Sequence, residues 1–207
     1  DVIVDFNNVT FAYDDKNVLK NLSFSVKEGE QVTLSGRTGA GKSTIFKLLL
    51  GLYEPGKGSV SIAGQKATAI PDCEKRKIYG YVEQTFHMVP GTVKDQITLY
   101  DSEVTDEDVI EAAKTAGLHD AIMELEKGYD TICKPEDFSQ GQWQLLSIAR
   151  AAAAKPRLLL LDEITANLDA DTEKNVLEAL NRVSENRTVI SISHRSNART
   201  GRIIEIA

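Results

Sequence analysis

This sequence is short of cysteine, of positive charge and of long apolar runs. Cys73 and Cys133 are its two cysteines. They lie far apart, with no partners at metal-ligand spacing, so neither a zinc site nor a disulfide scaffold is expected. Structural thiols in a reduced compartment are the default reading. No stretch reaches the roughly 18 apolar residues of a membrane span, and no secretory leader is read at the start. Lysine and arginine number 24 against 31 acidic residues, a net charge of −7. That balance argues against nucleic acid as a partner, although a nucleotide site can still be locally positive. Internal repeats and low-complexity segments are also lacking.

The chain does have the makings of a core. Hydrophobic residues are 42% of 207, and charged residues an ordinary 27%. One large domain, or a domain with a lobe, is expected. A strand pattern begins almost at residue 1 and another ends near the last residue. This reads as a domain cut out of a longer protein.

The most informative stretch is Gly36-Arg37-Thr38-Gly39-Ala40-Gly41-Lys42-Ser43-Thr44, which fits G-x-x-x-x-G-K-[S/T]. Residues 30–35 alternate like a strand, and 44–50 read as a buried helix. Strand, glycine loop and helix together make a phosphate cradle. Glycines let successive backbone N–H groups converge on one anion, and the helix N-terminus adds partial positive charge. Lys42 is placed to reach β- and γ-phosphates, and Ser43 to put its hydroxyl on Mg²⁺.

Elsewhere the pattern alternates between strands and helices. Strands are expected at 2–6 and 9–13, joined at Asn7-Asn8, and at 22–26, 59–64 and 78–82. Tyr13 ends its strand before a polar turn, where its ring could meet a flat ligand. Gln84 follows the 78–82 strand, where an amide can ligate a metal or position water. An acidic start at Asp106-Glu107-Asp108 suits a helix N-terminus, with a second helix over 118–125 and a third over 143–154. No strand interrupts this region, which predicts a helical lobe, about 88–156, inserted in an α/β core. Leu158 to Leu161 fit a strand buried on both faces of a parallel sheet. Asp162 and Glu163 follow at the sheet edge where α/β folds bind ligands. Asp162 suits the hydration shell of Mg²⁺, and Glu163 suits the polarisation of a water. A helix with Val176, Leu177, Leu180 and Val183 on one face comes next. The strand at 188–193 then ends at His194, and a last strand is read over 202–206.

In this order the motifs resemble the nucleotide-binding domain of an ABC transporter over nearly all 207 residues. The resemblance rests on an aromatic A-loop at Tyr13, a Walker A loop from Gly36 to Thr44 and a Q-loop at Gln84. It continues with a signature at Ser139-Gln140-Gly141-Gln142, Walker B at Asp162 with Glu163, a D-loop at Leu168-Asp169 and an H-loop at His194. It implies a P-loop NTPase core with a mostly parallel sheet, an N-terminal antiparallel β subdomain and the inserted lobe. It also implies ATP and Mg²⁺ as cofactors. Tyr13 would stack on adenine. Gly36, Thr38, Gly39, Ala40, Gly41, Lys42, Ser43 and Thr44 would hold the phosphates. Ser43, Gln84 and Asp162 would lie at the metal, Glu163 would be the general base, and His194 would contact the γ-phosphate. Two cassettes would pair head to tail, so that Ser139 and Gly141 of one cover ATP held by the other. A transmembrane domain would be the other partner, at the cytoplasmic face of the membrane.

Two departures stand out. The family signature is usually L-S-G-G-Q, whereas Phe138 and Gln140 occupy its first and third positions here. Trp143 follows at a position that is often basic. The stretch from Gly91 to Ile97 resembles the exporter pattern G-T-I-x-x-N-I, which favours an exporter, as a homodimer or as half of a heterodimer with unequal sites. A soluble ABC ATPase is the first rival, but the repair type would carry a long coiled coil between Gln84 and Ser139. A cassette that binds ATP and barely turns it over is the second, and Glu163 argues against it.

Overall fold

The computed structural model describes residues 1–37, 41–162, 168–192 and 201–206. Two sheets organise them. The first is antiparallel, with β1 (Val2–Ala12), β2 (Asn17–Lys27), β4 (Lys57–Ile62) and the two-residue β5 (Gln65–Lys66) in the order β2-β1-β4-β5. The second is parallel throughout, with β3 (Gln31–Ser35), β6 (Tyr79–Val82), β7 (Leu158–Asp162), β8 (Thr188–Ile192) and β9 (Arg202–Glu205) in the order β6-β7-β8-β3-β9.

Each face of the parallel sheet has its own core. On one side α1 (Lys42–Leu49) lies with the antiparallel sheet, burying Phe6, Val26, Ile45, Phe46 and Leu49 against Leu158, Leu160 and Ile190. On the other side five helices pack against Leu159, Leu161 and Val189. They are α3 (Val93–Thr98), α4 (Asp106–Ala116), α5 (His119–Met123), α6 (Gln140–Ala153) and α7 (Ala170–Ser184). The four leucines of β7 therefore alternate between the two cores, as a strand buried on both faces requires. Each such side chain stabilises the fold by roughly 1.5–3 kcal/mol.

Several sequence expectations are corrected. The break at Asn7-Asn8 is a bulge within one strand, not a join between two. Asn8 takes a left-handed φ of 50°, the register shifts between Phe6 and Val9, and the Asn8 N–H donates to Ser23 Oγ at 2.9 Å. The strand read from Ile78 begins at Tyr79, because Ile78 ends a short charged helix, α2 (Asp72–Ile78). The helix read over 118–125 is confined to α5. The helix read from Trp143 starts at Gln140, which brings the signature residues into its first turn. The acidic start of α4 is as expected, with Thr105 and Asp108 forming a reciprocal cap at 3.1 and 3.0 Å.

Candidate functional site

At the carboxyl end of β3 the chain passes through Gly36 and Arg37 to Gly41, the N-cap of α1. Gly41 has φ 95°, and a Cβ there would stand 2.7 Å from Leu19 Cδ2. The left-handed φ favours glycine, and a Cβ would also push the Leu19 side chain aside. Lys42 is 5% exposed, and its ammonium donates to the Gly36 carbonyl oxygen, so the lysine ties the start of α1 to the residue that follows β3. Ser43, beside it, is exposed. Thr44 is buried, and its Oγ1 lies 3.1 Å from the Tyr13 hydroxyl. That bond joins the aromatic end of β1 to the first turn of α1. Tyr13 is 48% exposed and held edge-on by Phe11 and Tyr53, at centroid distances of 5.0 and 5.4 Å. Its ring is fixed and half exposed, with the Lys47 ammonium 5.5 Å over its centroid, and an adenine stacking there would displace a flexible lysine.

Asp162 ends β7 at the same edge of the sheet, half-buried. Its Oδ2 accepts from the Tyr81 hydroxyl at 3.1 Å. Asp162, the Ser43 hydroxyl and the Gln84 amide present only oxygen donors for a cation. Carboxylate, hydroxyl and carbonyl oxygens fit Mg²⁺, which takes few protein ligands and leaves the rest to water and phosphate.

Gln84 is exposed and lines a groove of about 540 Å³ with Phe86, Met88, Phe138, Trp143 and Gln144. Trp143 forms one wall, with Phe86 and Phe138 at 5.2 and 5.1 Å from its ring and its indole N–H donating to Pro135 O at 3.3 Å. The buried Oε1 of Gln144 has no hydrogen-bond partner among the described residues. A buried Gln96 and a partly buried Arg150 hold the segment after Gln84. Gln96 exchanges bonds with the Val89 backbone at 2.9 and 2.7 Å. Arg150 donates to His87 O at 2.9 Å and to Gln96 O at 2.6 Å, with its guanidinium 4.0 Å from the Phe86 centroid. Burial, then the charge of Arg76, pulls the Arg150 pKa down to about 10, so it stays charged at neutral pH.

Ser139 is the N-cap of α6. Its Oγ accepts from Gln142 N at 3.2 Å, and its N–H donates to Gln142 Oε1 at 3.0 Å. Gly141 is buried, and a Cβ on it would meet Thr172 Cγ2 at 2.1 Å. Thr172 in turn donates to Asp169, the N-cap of α7, from its backbone N–H at 2.8 Å and its hydroxyl at 2.9 Å. Leu168-Asp169 and the signature are thus joined within one chain through Thr172.

The structure therefore brings Lys42, Thr44 and Tyr13 together. It sets Asp162 on the carboxyl edge of the same sheet, and it puts Gln84 and the signature helix on one groove. Thr38, Gly39, Ala40, Glu163 and His194 lie outside the described residues.

A sequence profile of the ABC transporter family matches residues 19–166. The chain belongs to that family. Among ABC proteins it is 43% identical over 197 residues to an uncharacterised ABC transporter ATP-binding protein, YfiC, of Bacillus subtilis (strain 168), covering 94% of this chain and 33% of that one. It is 42% identical over 202 residues to the ABC multidrug transporter MDR2 of Trichophyton tonsurans (strain CBS 112818), covering 94% of this chain and 15% of that one. A solved structure of a bacterial Atm1-family ABC exporter with ATP bound superposes with a TM-score of 0.85 at 36% identity, over 99% of this chain and 36% of that chain. The chain thus spans a third or less of these curated ABC relatives. It corresponds to their ATP-binding cassette, with an exporter-type fold.

Sequence reasoning missed Tyr81, Thr172, Gln96 and Arg150. The first two act on motif residues distant in sequence, and only sheet order and helix packing reveal them. Gln96 and Arg150 are polar residues inside helices, where an outward-facing position is the ordinary expectation.

Proposed function

We propose that this cassette binds ATP with Mg²⁺ and hydrolyses it to power transport, most plainly export, by a membrane-spanning partner. The observation that carries the reading is Lys42, buried at the start of α1 and bonded to Gly36, with Tyr13 tied to Thr44 at its side. Tyr13 stacks on adenine. Residues 36–44 hold the phosphates, with Lys42 leaving the Gly36 carbonyl for the β- and γ-phosphate oxygens. Mg²⁺, when bound, neutralises charge on those oxygens, and Ser43, Asp162 and Gln84 are the residues that would hold it.

Glu163 takes a proton from the attacking water as the water oxygen bonds to the γ-phosphorus. The bond from that phosphorus to the bridging oxygen breaks, and ADP and phosphate leave. His194 contacts the γ-phosphate. Ser139 and Gly141 of a second cassette cover the nucleotide, Gly141 through its backbone N–H. Residues from about 88 to 156 form the helical subdomain that carries this signature.

The membrane-spanning partner docks in the groove beside Gln84. That groove is apolar at Phe86, Met88 and Trp143 and contains the Gln144 acceptor, unpaired among the described residues, as an interaction site would be. The cassette then works at the cytoplasmic face of the membrane. The likeness to an Atm1-family exporter supports the export direction. Lys42→Ala tests the reading: nucleotide affinity should weaken and turnover should be lost. Unchanged affinity and turnover would overturn it.

A further inference from the structure

Tyr81 belongs to no motif, yet it contacts the carboxylate that ends β7. β6 and β7 are parallel neighbours with Tyr81 opposite Leu160. Asp162 lies two residues further along β7. Side chains two apart share a face of the sheet, and two residues advance about 6.6 Å. A tyrosine leaning along its strand covers that distance, and the hydroxyl reaches Asp162 Oδ2 at 3.1 Å. The ring is backed by Phe46 of α1, edge-on at 6.0 Å and 86°. A phenol is protonated at neutral pH, so the hydroxyl is the donor in this bond.

We infer that Tyr81 is a positioning residue for the cation: its hydroxyl fixes the rotation of the Asp162 carboxylate toward the metal bound with the nucleotide. This rests on the reading of Asp162 as the carboxylate on the Mg²⁺ side. A hydrogen bond from a ring packed against α1 restricts the rotation of that carboxylate about its χ angles before any ligand arrives. α1 also carries Lys42 and Ser43, so one packed unit holds the phosphate loop and orients the acid. The plainer account is that Asp162 merely satisfies a half-buried phenol. The two accounts differ in what happens to metal affinity when the hydroxyl alone is removed.

Tyr81→Phe keeps the ring and its contact with Phe46. The full-length protein, loaded stoichiometrically with a non-hydrolysable ATP analogue, is titrated with Mn²⁺, and free Mn²⁺ is read by electron paramagnetic resonance. Nucleotide affinity in EDTA is measured alongside. Partners that orient a metal ligand typically contribute 10–100-fold to metal affinity. Tyr81→Phe should therefore raise the Mn²⁺ dissociation constant roughly 10-fold and leave affinity in EDTA unchanged. Asp162→Asn should weaken Mn²⁺ at least as much, and adding Tyr81→Phe to it should have no further effect. A Mn²⁺ constant unmoved by Tyr81→Phe, where Asp162→Asn weakens it, overturns the inference alone. Equal losses with Mn²⁺ and in EDTA also overturn it, because they make Tyr81 a packing residue. A constant unmoved by Asp162→Asn overturns the reading of Asp162 and the inference with it.

Discussion

Replacing Gly141 by alanine should destabilise the chain, against the usual preference of helices. Gly141 sits in the first turn of α6, and propensity alone would favour alanine by up to about 1 kcal/mol. The added methyl, however, would lie 2.1 Å from Thr172 Cγ2, about 1.3 Å inside ordinary contact, which starts at 3.4 Å. Turning Thr172 away breaks the bond from its hydroxyl to Asp169 at 2.9 Å. Overpacking of this kind costs about 1–3 kcal/mol, and the propensity gain is smaller in a first turn than in a helix interior, so the clash should win. For a chain of this size 1 kcal/mol moves the melting midpoint by roughly 2–4 °C. Thermal unfolding should show Gly141→Ala several degrees below the parent. Thr172→Ser deletes only the clashing methyl and keeps the hydroxyl, so it should restore most of the loss when combined with Gly141→Ala. A Gly141→Ala protein as stable as the parent would refute this reasoning. A double variant that is stable yet fails to turn over ATP would show that the nucleotide also needs a bare backbone at this position.

Two further outcomes follow from a partly buried arginine and a buried cysteine. Arg150→Ala removes the donors to His87 O and Gln96 O, and hydrogen bonds from a charged donor are worth about 1.5–3 kcal/mol each. The bond to His87 O is solvent-exposed and counts for less, so the variant should lower stability by roughly 2–4 kcal/mol and expose residues 86–92 to limited proteolysis. Arg150→Lys should not rescue it, because an ammonium lacks the planar fork; full rescue by lysine would contradict the geometry. Burial, then the charge of Asp137, pushes the Cys133 thiol up to about 11. The folded state therefore holds that proton more tightly than the unfolded chain. The associated stability is complete below the ordinary thiol range near 8.5 and is lost as pH rises toward about 11. With iodoacetamide at pH 8, exposed Cys73 should be alkylated at least roughly 10-fold faster than Cys133, as read by mass spectrometry; equal rates would contradict the burial.

Much of this fold could be read from local pattern. The four leucines before Asp162 announced a strand buried on both faces, and they divide between two cores as such a strand must. The strand, glycine loop and helix around Lys42, and the acidic start of α4, were equally legible because each is a short-range signal. What escaped was non-local or polar. α2, reading Asp-Cys-Glu-Lys-Arg-Lys-Ile, has no apolar stripe to betray it. Asn7-Asn8 looked like a turn because asparagine tolerates left-handed backbone, and here that tolerance serves a bulge. Tyr81 with Asp162, Tyr13 with Thr44 and Thr172 with Gly141 are contacts set by sheet order and helix packing. No spacing within the sequence encodes them.

The central claim is that ATP is held between two copies of the cassette and cleaved with Glu163 as base. Glu163→Gln keeps size and hydrogen-bonding reach and removes the negative charge, so binding should survive while chemistry fails. Losing a positioned base typically costs about 10²–10⁴ in rate. The direct measurement is size-exclusion chromatography of Glu163→Gln with ATP, with ADP and with no nucleotide, beside single-turnover hydrolysis. A dimer with ATP only, together with hydrolysis slowed by at least about 10², is the expected result. Near-parental hydrolysis would contradict the base assignment, and a monomer under all three conditions would contradict the shared site.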